Sequence, residues 1–234
     1  MTEGLMRTSA LTGVAALATA VGVLLSGCGS TTVDGTPVAA PSTSGRTSAP
    51  PPAPRDEGTP GSYETIASYI SQNGIQETPV KRGDPGSPTI DLPFPDGWQD
   101  AGPDTPEWAY GAIVYTGSEA AEYTPSIVAL ISRLSGNVDP AKIIELAAGE
   151  LQNLPDYEAL TDGTTSQLSG FDAYQLAGTW EQDGLRKFVA QKTVVIPGSD
   201  GLYVLQLNAD GLADQADILG AATDVIDTET VITP

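Results

Sequence analysis

The stretch LLSGCGS, residues 24–30, holds Cys28, the one cysteine among 234 residues. Ahead of it, Ala10 to Leu25 runs without a charge, and Arg7 is the one basic residue before that run. A basic start followed by an apolar run shorter than the roughly 20 residues of a membrane span is the layout of a secretory signal peptide. Leu25, Ser26, Gly27 and Cys28 then read as a lipobox, because small side chains let a peptidase reach the bond before an acceptor thiol. Lipid attachment is therefore expected at Cys28, with Leu25, Ser26 and Gly27 as the signal-peptidase recognition residues and residues 1–27 removed. Two or three acyl chains at about 0.8 kcal/mol per buried methylene give a stable anchor, where one chain gives a marginal hold. The expected location is the outer side of the cell membrane. Glu3 is an acid in a segment that is ordinarily basic, which fits translation from Met6 rather than Met1.

Lipidation consumes the only thiol, so disulfides, zinc–thiolate sites and cysteine catalysis are excluded together for the mature chain. Histidine is absent. That removes the commonest general base, the usual serine triad and the commonest metal ligand. Gly198-Ser199-Asp200-Gly201 departs from a nucleophile elbow and reads as a turn. Two carboxylates suffice for glycoside hydrolysis, and Glu107 and Glu181, each beside a tryptophan, are the pair to inspect; among 29 acids in the mature chain they are a weak signal. Asp210, Asp214 and Asp217 lack the spacing of a calcium loop and suit the first turn of a helix, where the macrodipole favours acids. No catalytic residue, metal or cofactor is assigned.

The mature chain carries 29 acids against 9 bases. A surface of that sign repels phosphate backbones and anionic headgroups, so no nucleic-acid partner is expected and membrane attachment falls to the lipid. The aromatics are the remaining binding candidates. Trp98 lies in the proline-braced PFPDGW, Trp108 and Tyr110 open a strand, and Trp180 ends one on the face of Tyr174 and Leu176. Such residues either pack in the core or line a groove for sugar rings or acyl chains.

Three regions must position these groups: the signal peptide, residues 1–27; a Pro/Ser/Thr-rich tether, residues 28–60, with APPPAP at 49–54; and one domain, residues 61–234. The tether's composition cannot build a core and reads as a disordered spacer open to O-glycosylation. In the domain, the apolar spacing predicts helices over 62–73, with Ser62 as cap, over 139–154, with Asp139 as N-cap and Pro140 at the first position, and from about Asp210 onward. Strands are predicted over 109–116, 126–134, 157–161, 164–168, 171–181, 185–196 and 202–208, several joined by Asp-Gly or Ser-Gly turns. The expected fold is α+β: an antiparallel sheet of six to eight strands sandwiched by helices.

YETIASYISQNGIQETPV, PTIDLPFPDGWQD, PEWAYGAIVY, the DPAKIIELAAGELQNLP helix and the closing ATDVIDTETVITP resemble the LpqN/LpqT-type lipoproteins of mycobacteria. The resemblance spans residues 61–234 and agrees with the lipobox and tether. It implies a Mog1/PsbP-like α/β/α sandwich, a cell-envelope location, no established enzyme activity, and connections with envelope glycolipid export and with host proteins. It carries no catalytic motif onto this chain. The leading expectation is a non-catalytic, membrane-anchored lipoprotein that binds or chaperones an apolar envelope ligand of the glycolipid or mycolate class beside an exporter. A lipid-anchored protein-interaction module, with host-protein contact included, is the alternative, and a flat apolar patch in place of a deep cavity would favour it. A carboxylate enzyme is the third reading.

Overall fold

The computed structural model describes residues 61–234; the signal peptide, the lipobox through Cys28 and the tether lie outside the described residues. Nine strands form one antiparallel sheet: β1 (Gln76–Pro79), β3 (Trp98–Asp100), β4 (Gly111–Tyr115), β5 (Ser126–Ser135), β6 (Glu158–Ala159), β7 (Thr164–Leu168), β8 (Phe171–Gln182), β9 (Leu185–Pro197) and β10 (Leu202–Leu212). Their order is β3-β4-β5-β10-β9-β8-β6, with β1 also on β5 and β7 also on β8, while β2 (Thr89–Asp91) and β11 (Val231–Thr233) make a separate ribbon. The long strands lie where expected, and β5, β9 and β10 are buried on both faces as central strands of a covered sheet. The extra ones are three- or four-residue pieces, too short for periodicity to register.

The β8–β9 hairpin turns on Asp183 and Gly184, both at positive φ (52° and 77°), the conformation a two-residue hairpin needs to match strand twist. That turn sets Gln182 opposite Leu185 and the register of everything behind it.

Helices cover both faces. On one face, α4 (Ala216–Glu229) buries Leu219, Ala222 and Ile226 against Ile127, Leu205, Leu207 and Ala209, with Ile90 and Ile232 of the small ribbon in the same core. On the other, α1 (Ile66–Gln72) and α2 (Pro140–Leu146) pack Ile66, Ile70, Ile143 and Leu146 onto Leu134, Val195 and Val204, while α3 (Gly149–Gln152) sets Leu151 beside Leu176, Trp180 and Val189. The result is an α/β/α sandwich.

Three helix boundaries differ from expectation. Thr65, not Ser62, caps α1, its hydroxyl accepting from Ser68 N at 3.1 Å. Asp139 caps α2 as predicted, but the helix breaks before α3, where Gly149 lies so near Glu64 that a Cβ would sit 2.0 Å from the Glu64 carbonyl oxygen. The last helix starts at Ala216 rather than Asp210, because β10 stays paired with β9 through Leu212.

Candidate ligand-binding cavity

A cavity of about 360 Å³ opens between α4 and the sheet. Its origin is a row of small residues. The β8–β9 turn places Ala177 opposite Ala190, the β9–β10 pairing places Ala190 opposite Ala209, and Ala209 faces Ile127 on β5. Three methyl groups in line leave a trough across the sheet. Above it, α4 contributes the small residues Ala216, Gly220 and Thr223 beside Asp224, Ile226 and Asp227, and a Cβ built at Gly220 meets nothing within 4 Å. Phe188 and Leu207 wall the trough, and Ile226 closes it from α4. Where close packing would normally fill such a space, small side chains on both layers keep it open.

The rim is polar. Thr164, Gln175 and Lys192 stand side by side across β7, β8 and β9, with Leu160 and Thr161 from the preceding loop and Asp224 and Asp227 from α4 completing the mouth. The loop carrying Leu160 and Thr161 is pinned to the strand edge: Leu160 N donates to Ala177 O at 2.9 Å, and the Thr161 hydroxyl accepts from Ala177 N at 3.0 Å. Lys192 Nζ, its side chain only 8% exposed, lies 2.6 Å from Asp227 Oδ1 on α4. The ion pair neutralises a buried cation beside an apolar trough, so the site offers an apolar interior and a hydrogen-bonding mouth. Such a shape suits the apolar part of an amphiphile, and its size is in the range of small-molecule pockets, about 300–1,000 Å³.

Residues 62–233 match the family described as "Probable lipoprotein LpqN". The chain belongs to the LpqN family. It is 51% identical over 174 residues to lipoprotein LpqN of Mycobacterium tuberculosis, spanning 74% of this chain and 76% of that one. It is similar to the crystal structure of LpqN involved in cell envelope biogenesis of Mycobacterium tuberculosis, at a TM-score of 0.71, with 74% of this chain and all of that chain covered. A more distant likeness is to the Ran-binding protein Mog1p of Saccharomyces cerevisiae, 15% identical, covering 67% of this chain and 95% of that one at a TM-score of 0.41.

In this LpqN-family chain the four aromatics proposed from sequence are not gathered around the cavity; none of them lines it. Trp98 is buried at the start of β3, its ring 5.8 Å from that of Tyr115 at a 57° tilt. Tyr110 is buried, its hydroxyl accepting from Ile90 N at 3.1 Å. Trp180 is 1% exposed and belongs to the opposite sheet face, against Leu151 and Val189. Trp108 alone is open to solvent, at 48%.

The acidic candidates are also apart. Glu107 precedes β4 and Glu181 ends β8, strands separated by β5, β10 and β9. Four strand spacings of about 4.8 Å put the two strands on the order of 19 Å apart, past the roughly 5–9.5 Å of a glycosidase pair. Glu181 instead lies 3.5 Å from Arg186. Asp210 is in β10, where Lys187 Nζ lies 2.9 Å from its Oδ1 and Tyr123 donates to the same oxygen. Asp217 is in the first turn of α4 and Asp214 in the short 3-10 turn before it. No group of three or more potential metal ligands occurs among the described residues. Gly198 to Gly201 is a turn, closed by Gly198 N donating to Gly201 O at 2.9 Å.

Proposed function

We propose that this chain is a non-catalytic cell-envelope lipoprotein, anchored through lipid at Cys28, that holds the apolar part of an envelope amphiphile of the glycolipid or mycolate class in the cavity beneath α4 and acts beside an exporter. Membership of the LpqN family supports the envelope-lipoprotein part of the reading. The link of its Mycobacterium tuberculosis relative to cell envelope biogenesis is a property of that relative and supports the biological setting. No helix among the described residues is long and apolar enough to cross a membrane, so attachment through the lipobox is consistent with the fold.

The single observation that carries the ligand reading is the alanine trough of Ala177, Ala190 and Ala209 roofed by Gly220. A recess of about 360 Å³ favours a small amphiphile over the alternative of a protein-docking module, which needs a broad exposed apolar patch. Each methylene taken out of water contributes about 0.8 kcal/mol, so a buried alkyl segment of moderate length offsets the cost of association.

Native mass spectrometry of residues 61–234, which include the span 62–233 matched by the family, tests the reading after incubation with an envelope lipid extract. The expected result is a one-to-one adduct of lipid or glycolipid mass that Gly220→Leu abolishes. An unchanged protein mass at every lipid concentration would reject it.

A further inference from the structure

One place in the domain departs from its acidic character. Residues 61–234 carry 26 acids and seven bases, and five of the seven bases sit within 4 Å of a carboxylate: Arg133, Lys142, Arg186, Lys187 and Lys192. Among the described residues, Lys81 and Arg82 have no such carboxylate partner. They follow β1, and the topology brings them to the segment that leads into β4, because both run along the same edge of β5: Val80 N donates to Ile131 O and Tyr110 N to Ala129 O, each at 2.8 Å. At this seam Lys81 Nζ donates to the Glu107 carbonyl, and the Arg82 guanidinium lies 5.5 Å over the Tyr110 ring. Between those two contacts in sequence stands Trp108, the one tryptophan open to solvent.

We propose that this seam docks on the headgroup layer of an anionic bilayer, with Trp108 entering the interface and Lys81 and Arg82 meeting lipid phosphates. Tryptophan with flanking lysine and arginine is the side-chain set that membrane interfaces favour, since an amphipathic ring and snorkelling cations suit the boundary between water and acyl chains. Asp84 and Glu107 stand at the same seam, Asp84 accepting from Lys81 N at 2.8 Å, so its charge is close to balanced while the rest of the domain repels the surface. The contact is thus weak by itself and orients the domain. It rests on the lipid-anchored reading for its strength: attachment at Cys28 makes it intramolecular, at an effective concentration on the order of millimolar. The 33 residues from Cys28 to Pro60 reach up to about 100 Å when extended, enough for any face of a domain of this size to touch the membrane.

The test uses the full acylated chain in vesicles of phosphatidylglycerol and phosphatidylcholine, with and without bromine on the acyl chains. Flotation with the vesicles checks the anchor, and tryptophan emission checks the seam. The expected result is loss of the Trp108 component in brominated vesicles, absent in Trp108→Phe and reversed by Lys81→Glu with Arg82→Glu. A chain that floats with equal emission in both lipids overturns the seam and leaves the anchor standing. A chain that does not float overturns the anchor, and emission at saturating free vesicles then decides the seam: quenching supports it and its absence overturns it.

Discussion

Lys192 Nζ lies 2.6 Å from Asp227 Oδ1, tying β9 to the last turn of α4 at the mouth of the cavity. The two partners are unequally buried, with side chains 8% and 32% exposed. Asp227→Asn therefore leaves a nearly buried ammonium without its counter-charge, whereas Lys192→Met leaves a carboxylate that water can reach. Removing one member of a buried pair costs up to about 3–5 kcal/mol. We expect Asp227→Asn to cost about 2–3 kcal/mol and Lys192→Met roughly 1 kcal/mol or less, the difference being read from urea unfolding at neutral pH. Equal losses would show that the pair's burial does not govern its energetics.

Gly220 is the position at which stability and ligand capacity separate. Glycine inside a helix costs about 0.8–1.0 kcal/mol relative to alanine, and here a Cβ meets open space. Gly220→Ala should raise the unfolding free energy by about 0.5–1 kcal/mol. Gly220→Leu should keep the domain folded while filling the trough, so that lipid adducts disappear without a fall in the unfolding midpoint. Loss of both together would mean that α4 cannot tolerate bulk there.

The strand pairing beneath the trough is legible in sequence, whereas none of the trough's own lining residues stands out there. An Asp-Gly pair between two alternating segments specifies a two-residue hairpin, and that turn alone puts Ala177 opposite Ala190. The same parity assigns Trp180, with Tyr174 and Leu176, to the other face. What local patterning cannot supply is which face α4 covers: Leu219, Ala222 and Ile226 define its apolar stripe but not the surface the stripe meets. The extension of β10 past Asn208 is equally nonlocal. The Asp210 carboxylate suits a helix cap by sequence, whereas in the structure it pairs with Lys187 across the β9–β10 ladder, which continues to Leu212. The four aromatics carry only size and position near turns as signals, and these do not distinguish a groove from a core.

Asp200, in the β9–β10 turn, accepts from the Tyr203 hydroxyl at 2.9 Å and lies against Arg133. The Tyr203 hydrogen bond first, and then the Arg133 hydrogen bond and charge, hold its carboxyl below the usual carboxylate range. A depressed carboxylate stabilises the fold above its unfolded value of about 3.9 and loses that contribution as pH falls through the folded value. Asp200→Asn should therefore be less stable than wild type near neutrality, with the gap closing below about pH 4. A gap that persists to the acid limit would assign the effect to the turn's shape rather than to charge.

Trp98 and Trp108 stand ten residues apart and should respond in opposite ways. Trp98 is 7% exposed, in the same core cluster as Tyr110 and Ile113, so Trp98→Ala opens a cavity and should cost about 3–5 kcal/mol. Trp108 is 48% exposed, and Trp108→Ala should change stability by about 0.5 kcal/mol or less. Neither lines the trough beneath α4, so the lipid stoichiometry of whatever fraction stays folded should be unchanged in both. Native mass spectra of the two variants, taken at a urea concentration where each is still folded, check this directly. A Trp108→Ala protein that remains fully folded yet binds no lipid would move the ligand site from the trough to the aromatic edge of the sheet.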